Sequence, residues 1–293
     1  MPSKARRQPT HVATETATVH ATSIIPTEII DEILDHFIAD SGPYDDSLKR
    51  SLQSYSLVSK SWVPSCRRHL FHTITFFSGD VVKWLKTFPV PQESPAHYVK
   101  DLHFLLGGRY GAPERFSKHT PWFTNAERMV LTMDTTSLPR RIFSPARLPQ
   151  SVTSLTIRAG GPGVDLMQMR EIIAHLPNLN DLILSGCFIV RPTFKQLLPG
   201  LGTGLRGRFG GELQIRDGYT NEYIVNMLLE VPAGLHFTKL HIHADRACLL
   251  QTVRLAEACC KTLVNLLFSC AIHLGKSSPL PNLLVSLILT STH

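Results

Sequence analysis

The sequence predicts an α/β chain in two parts: a three-helix module near the N-terminus, then an irregular solenoid in which short strands and helices alternate. Three observations predict it. Residues 24–71 carry three successive stretches with apolar side chains at helical spacing. From Ile74 onward, a pair of apolar residues separated by one position returns nine times. The composition, 43% apolar and 18% charged, is that of a folded chain. At 293 residues there is room for a small module and one larger domain.

Residues 1–22 are rich in Thr, Ala and basic side chains, with Glu15 as the one acid, and hold no apolar run of the kind a secretory leader needs. They read as a disordered tail. The first helix follows. Pro26 suits an opening turn, where its missing N–H is no loss. Glu28, Asp31 and Glu32 lie near the positive end of the helix dipole. Ile29, Ile30, Ile33, Leu34 and Phe37 then form one broad apolar face. Asp40, Ser41, Gly42 and Pro43 break the pattern. A second helix is expected from about Ser47, with Leu48, Leu52 and Tyr55 on one side. A third is expected from Leu57 to Phe71, its stripe made by Val58, Trp62, Cys66 and Leu70, with Pro64 in its early turns.

The order Ile25-Pro26-x-Glu28-Ile29-Ile30-x-x-Ile33-Leu34, a gap, then Leu57-Val58-Ser59-Lys60-Ser61-Trp62 and a closing Leu70-Phe71 resembles an F-box. In particular it is similar to the F-box proteins abundant in mushroom-forming fungi. The connector from Ile38 to Ser47 is longer than the family's pattern. The resemblance covers residues 24–71, about a sixth of the chain, and implies a module, residues 23–72, that binds the Skp-type adaptor of a cullin–RING ubiquitin ligase. By position it implies adaptor contacts from Ile25, Pro26, Ile29, Ile30, Ile33 and Leu34 on the first helix and from Leu57, Val58 and Trp62 on the last. The remainder, residues 73–293, would bind an unidentified target protein. About 50 residues of helix cannot bury all these side chains internally, and a contiguous apolar surface marks a partner site. The rival expectation is a scaffold or nucleic-acid-binding protein whose first helices only cap the solenoid. Capping requires Ile29, Ile33 and Trp62 to be buried; docking requires many of them to be exposed.

The apolar dyads are Ile74/Phe76, Leu102/Phe104, Met129/Leu131, Leu155/Ile157, Leu182/Leu184, Leu213/Ile215, Leu240/Ile242, Leu266/Phe268 and Leu287/Leu289, spaced 21 to 31 residues and mostly near 27. Val99, Val152, Leu179, Phe237, Leu263 and Leu284 add a third apolar position three residues upstream. Leu179 to Cys187 follows L-x-x-L-x-L-x-x-C throughout, so the region reads as leucine-rich-repeat-like. Helical stretches at 165–176, 220–231 and 245–261 lie between dyads, the last two with Thr220-Asn221 and Asp245 as caps. A strand and helix repeated in this way must stack on neighbours. A doubly wound α/β domain is the alternative. The final run, Leu283 to Leu289, reads as a repeat strand with no cap after it, which points to a chain truncated or uncapped at its C-terminus.

Other classes are disfavoured. The formal net charge is +7, which suits weak attraction to acidic partners, but the basic residues are scattered without the dense stripe that nucleic-acid binding uses. Six cysteines occur without a C-x-x-C pair, and there is no N-x-S/T acceptor, so reduced thiols in a cytoplasmic or nuclear protein are expected. No run of some 18 apolar residues spans a membrane. Gly202-x-Gly204-x-x-Gly207 has the spacing of a dinucleotide fingerprint but follows a helical stretch and precedes a strand, the inverse of the required order. It reads as a flexible loop on which Arg206 and Arg208 meet an acidic partner. His241 and His243 share one side of a strand, but no third ligand completes a metal site. No catalytic signature appears, so neither an enzyme, a cofactor nor a resident metal is expected.

Overall fold

Stacked side by side, the nine dyads form two unbroken rows. In a computed structural model, which describes residues 25–39, 46–77, 80–106, 122–133, 148–189, 203–216, 221–244, 249–272 and 283–290, the strands are β1 (Thr73–Phe77), β2 (Asp101–Leu106), β3 (Arg128–Met133), β4 (Ser154–Asp165), β5 (Asp181–Ile189), β6 (Glu212–Arg216), β7 (Lys239–Ala244), β8 (Asn265–Ile272) and β9 (Leu283–Thr290). The helices are α1 (Thr27–Ala39), α2 (Asp46–Tyr55), α3 (Val63–Leu70), α4 (Asp80–Thr87), α5 (Leu166–Ala174), α6 (Asn221–Leu229) and α7 (Leu249–Ala258). All nine strands join one sheet in the order β1 to β9. Ile74, Leu102, Met129, Leu155, Leu182, Leu213, Leu240 and Leu266 pair across it in one register, and the second dyad residues do likewise. Strands β1 to β8 run parallel. The ninth reverses, setting Leu289 opposite Leu266 and Leu287 opposite Phe268.

This corrects the expected architecture. The chain is α/β, but it is not a three-helix module followed by an irregular solenoid. It divides into two units, residues 1–65 and 66–293, and the boundary falls inside α3. Among the described residues the first unit therefore holds two complete helices, not three. The expected third helix also starts late, at Val63 rather than Leu57. Pro64 explains this: it has no N–H for the carbonyl four residues back, so it is tolerated only in a first turn. Before it, Ser61 N–H donates to Ser59 Oγ at 3.3 Å and Trp62 N–H to the Ser59 carbonyl at 3.0 Å, holding turns instead. The strand region is one continuous sheet without a register break between neighbours except the bulge between Ala159 and Val164. Its final strand is antiparallel, so Leu283 to Leu289 does not extend the parallel series. Because strand order never reverses, the doubly wound alternative is not formed either.

In the sheet unit the dyads of β2 to β7 and Phe76 are buried on one face with Met169, Ile172 and Ile173 of α5 and Ile224, Val225, Met227 and Leu228 of α6, and Ile74, Leu266 and Phe268 pack against them partly buried. Upstream apolar positions Val99, Val152, Leu179 and Phe237 are buried too. They precede a backbone ladder that runs ahead of the strands: Thr153 N–H to Glu127 O at 2.8 Å, Asn180 N–H to Thr153 O at 2.7 Å, Thr238 N–H to Gly211 O at 2.8 Å and Val264 N–H to Thr238 O at 2.8 Å. Aromatic rings fill the β1–β3 end, where Phe76 stacks on Phe104 at 5.8 Å and meets Phe123 edge-on at 5.9 Å. Asp165 caps α5 by accepting from Met167 N–H at 2.9 Å. The proposed caps Thr220 and Asp245, and the connector after Ala39, lie outside the described residues. No described helix is long and apolar enough to cross a membrane.

In the N-terminal unit, the Pro26 carbonyl accepts from Ile29 N–H at 3.1 Å and Ile30 N–H at 3.3 Å and so opens α1. Phe37 meets Tyr55 edge-on at 5.7 Å, and Tyr55 meets Trp62 at 6.1 Å, tying α1, the end of α2 and the following turns together.

Candidate functional site

The apolar face of α1 is wider than its unit can cover. At 100° per residue, Ile30 and Leu34 form one stripe, and Ile29, Ile33 and Phe37 form the next. The first stripe is wholly buried. In the second, Ile29 is 46% exposed and Ile33 48%, with Phe37 similar. Ile25 and Pro26 continue this open stripe toward the N-terminus. On the turns before α3, Leu57 is 86% exposed and Val58 68%.

The residues assigned by sequence thus divide into three groups. Ile25, Pro26, Ile29, Ile33, Leu57 and Val58 are at the surface. Trp62 is half-buried against Tyr55. Ile30 and Leu34, expected to touch a partner, are core residues: helical spacing marks an apolar face without saying which of its edges the fold itself uses. Leu57, Val58 and Trp62 were expected on the third helix and sit instead on turns, for the reason Pro64 supplies. Phe37 belongs to the exposed set and is absent from the assigned contacts. Its signal was present, since it lies four residues beyond Ile33 on the same stripe.

A second surface is the sheet face away from the helices, which presents the positions between and beside the dyads. Its row at the strand beginnings is Thr73, Asp101, Arg128, Ser154 and Asp181, with Glu212, Lys239 and Asn265 continuing it. Here charges satisfy one another. Asp101 is buried and accepts a two-pronged contact from Arg128, Nε and Nη2 each at 2.6 Å, while Thr73 Oγ1 donates to it at 3.3 Å. That hydrogen bond raises the Arg128 pKa above its ordinary value. Lys100 pairs with Glu127, and Glu212 receives Gln214 Nε2 and lies 3.2 Å from His241 Nδ1. Asp181 Oδ1 accepts from Glu212 N–H at 2.7 Å. Gly211 makes that approach possible, since a Cβ there would sit 1.9 Å from the same oxygen. A polar trough of about 430 Å³ follows this row, floored by Asp101, Arg128, Ser154 and Asp181.

The loop motifs resolve plainly. Gly202 lies outside the described residues. The rest of that loop is not loose, because Leu205 and Phe209 are buried and Phe209 N–H donates to the Leu179 carbonyl at 3.0 Å. It leads into β6 rather than a helix, and Arg206 and Arg208 are exposed on it. His241 and His243 do share one side of β7, but their Nδ1 atoms face Glu212 at 3.2 Å and Ser269 Oγ at 2.9 Å, respectively. Among the described residues no three potential ligands gather around a metal position. No family model matches the chain, and neither does any curated protein.

Proposed function

We propose that the chain is a substrate-recognition adaptor of a cullin–RING ubiquitin ligase, docking to a Skp-type adaptor through the N-terminal unit and holding a target protein on the sheet unit. The supporting observation is the exposure of Ile29, Ile33, Leu57 and Val58. The rival use of the first helices as a cap expects Ile29, Ile33 and Trp62 to be buried; Ile29 and Ile33 are open, and Trp62 is half-buried against Tyr55. Full burial of a large aliphatic side chain contributes about 1.5–3 kcal/mol, of which Ile29 and Ile33 forgo roughly half and Leu57 and Val58 most, and a cluster of such side chains marks a partner surface. The residues concerned are those that the F-box resemblance assigns to adaptor contact. In this reading the chain performs no bond chemistry. It raises the effective concentration of a target lysine near the ligase's own catalytic subunits and orients it.

The test is co-purification of the full chain with a fungal Skp-type adaptor, wild type against Ile29→Asp/Leu57→Asp. A stable complex with the wild type, lost in the variant while its circular dichroism is unchanged, is the expected result. Failure of the wild type to bind overturns the docking role.

A further inference from the structure

The far row of the open sheet face, at the strand ends, differs from the paired row described above. It reads Thr132, Arg158, Ser185 and Arg216 in register on β3 to β6, with His243 and Ser269 continuing it on β7 and β8. Each of these side chains can donate a hydrogen bond, and none is a carboxylate. Arg158 and Arg216 are exposed, and neither has an acid partner among the described residues. They stand two strands apart, about 10 Å, with the Ser185 hydroxyl position between them. Along the strands, the carboxylate-bearing row lies four residues away, roughly 13 Å. Among the described residues the face is therefore polarised, with its paired charges at one end and two guanidiniums without an acid partner at the other.

We propose that this row binds an acidic segment of a partner polypeptide, laid in extended form across the ends of β4 to β8, with Arg158 and Arg216 each taking a carboxylate. An unpaired guanidinium on a sheet is the place where an external anion gains most, because no internal ion pair has to be broken first. The width between the two rows admits a single extended chain. A nucleic-acid duplex would lay its second backbone over Asp101, Asp181 and Glu212. A single nucleic-acid strand would need a run of aromatic rings to stack on, and the intervening row on β3 to β8 (Val130, Thr156, Ile183, Gln214, His241, Leu267) offers one imidazole and no Phe, Tyr or Trp. This inference deepens the target-binding role proposed for the sheet unit. Its test uses no Skp-type adaptor, so its failure would leave the docking result standing, and the reverse.

The experiment is fluorescence anisotropy of the full chain with labelled hexaglutamate at low salt, with a single-stranded thymidine oligonucleotide as the competing probe. Saturable hexaglutamate binding that weakens with salt is expected, and Arg158→Glu/Arg216→Glu should raise the Kd about tenfold or more. Lys86→Glu, on α4 at the helix-covered side, should leave it unchanged. Arg158→Gln/Arg216→Gln serves the same purpose if the double reversal does not fold, with a smaller rise expected. The proposal is overturned by no saturation, by binding indifferent to both arginine pairs, or by tighter, arginine-dependent binding of the oligonucleotide.

Discussion

On β4 and β5, Leu155, Ile157, Leu182 and Leu184 are wholly buried, whereas on α1 Ile29 and Ile33 keep almost half of their surface in water. The residue types are alike and so are the sequence patterns, each a regular recurrence of large aliphatics. What differs is the supply of covering surface. The dyads of β4 and β5 have a strand in register on either side, and α5 and α6 join them in one buried core. The face of α1 has full cover for the Ile30/Leu34 stripe and only partial cover for Ile29, Ile33 and Phe37. Apolar periodicity therefore reports two different things, a core where neighbours repeat and a vacant surface where they do not.

Breaking the covered side should cost most. Leu182→Ala removes a side chain held between Leu155 and Leu213 in the middle of the sheet and should lower stability by about 3 kcal/mol in urea titrations of the full chain. Gly186→Ala comes next, at about 2 kcal/mol or more. Gly186 has φ +104°, and an added Cβ would stand 2.2 Å from the Ala159 carbonyl oxygen, so no rotamer change relieves the clash. The neighbouring pair on α1 sharpens the contrast most directly. Ile30→Ala should destabilise the N-terminal unit by about 2 kcal/mol, while Ile33→Ala, one turn along on the open stripe, should change it by about 0.5 kcal/mol or less. Equal losses from the two would mean that the stripe is not open in solution.

The smallest effect is a pH dependence. Burial, chiefly, holds the His103 pKa below its ordinary 6.5; Arg158 and Arg128 push the same way and Asp101 opposes. A base whose pKa is depressed on folding binds protons more readily when unfolded. Its contribution is therefore full above pH 6.5 and is lost as pH falls through the lower folded value. Melting temperatures of His103→Gln should accordingly fall less than those of the wild type over that acid range. An equal fall in both would show that other groups carry the dependence.

Much of this was legible beforehand, and the limits have physical causes. The dyads gave every strand position, because a two-residue alternation survives any arrangement of the connections. The helices were found with ends a few residues too long, as at 165–176 against Leu166–Ala174. Helix α4 carried too short a pattern to stand out. The direction of β9 was not legible, since alternation reads the same in either sense. On the N-terminal side, Pro64 marked where a helix could begin, yet the stripe from Val58 to Leu70 suggested that it had already begun. The pairing of Arg128 with Asp101, 27 residues apart, became visible only with the register of β2 and β3. The same is true of the placing of Arg158 and Arg216 in one row across β4 to β6.

The most direct measurement is calorimetric titration of a Skp-type adaptor into the wild type, Ile33→Ala and Leu57→Ala, with thermal melts of each protein alongside. If these side chains are held in reserve for a partner, each substitution should raise the Kd about tenfold or more while the melting temperature stays within about 1 °C. An unchanged Kd, or a melting temperature that falls in step with affinity, would contradict it, because the exposed stripe would then be either idle or part of the fold.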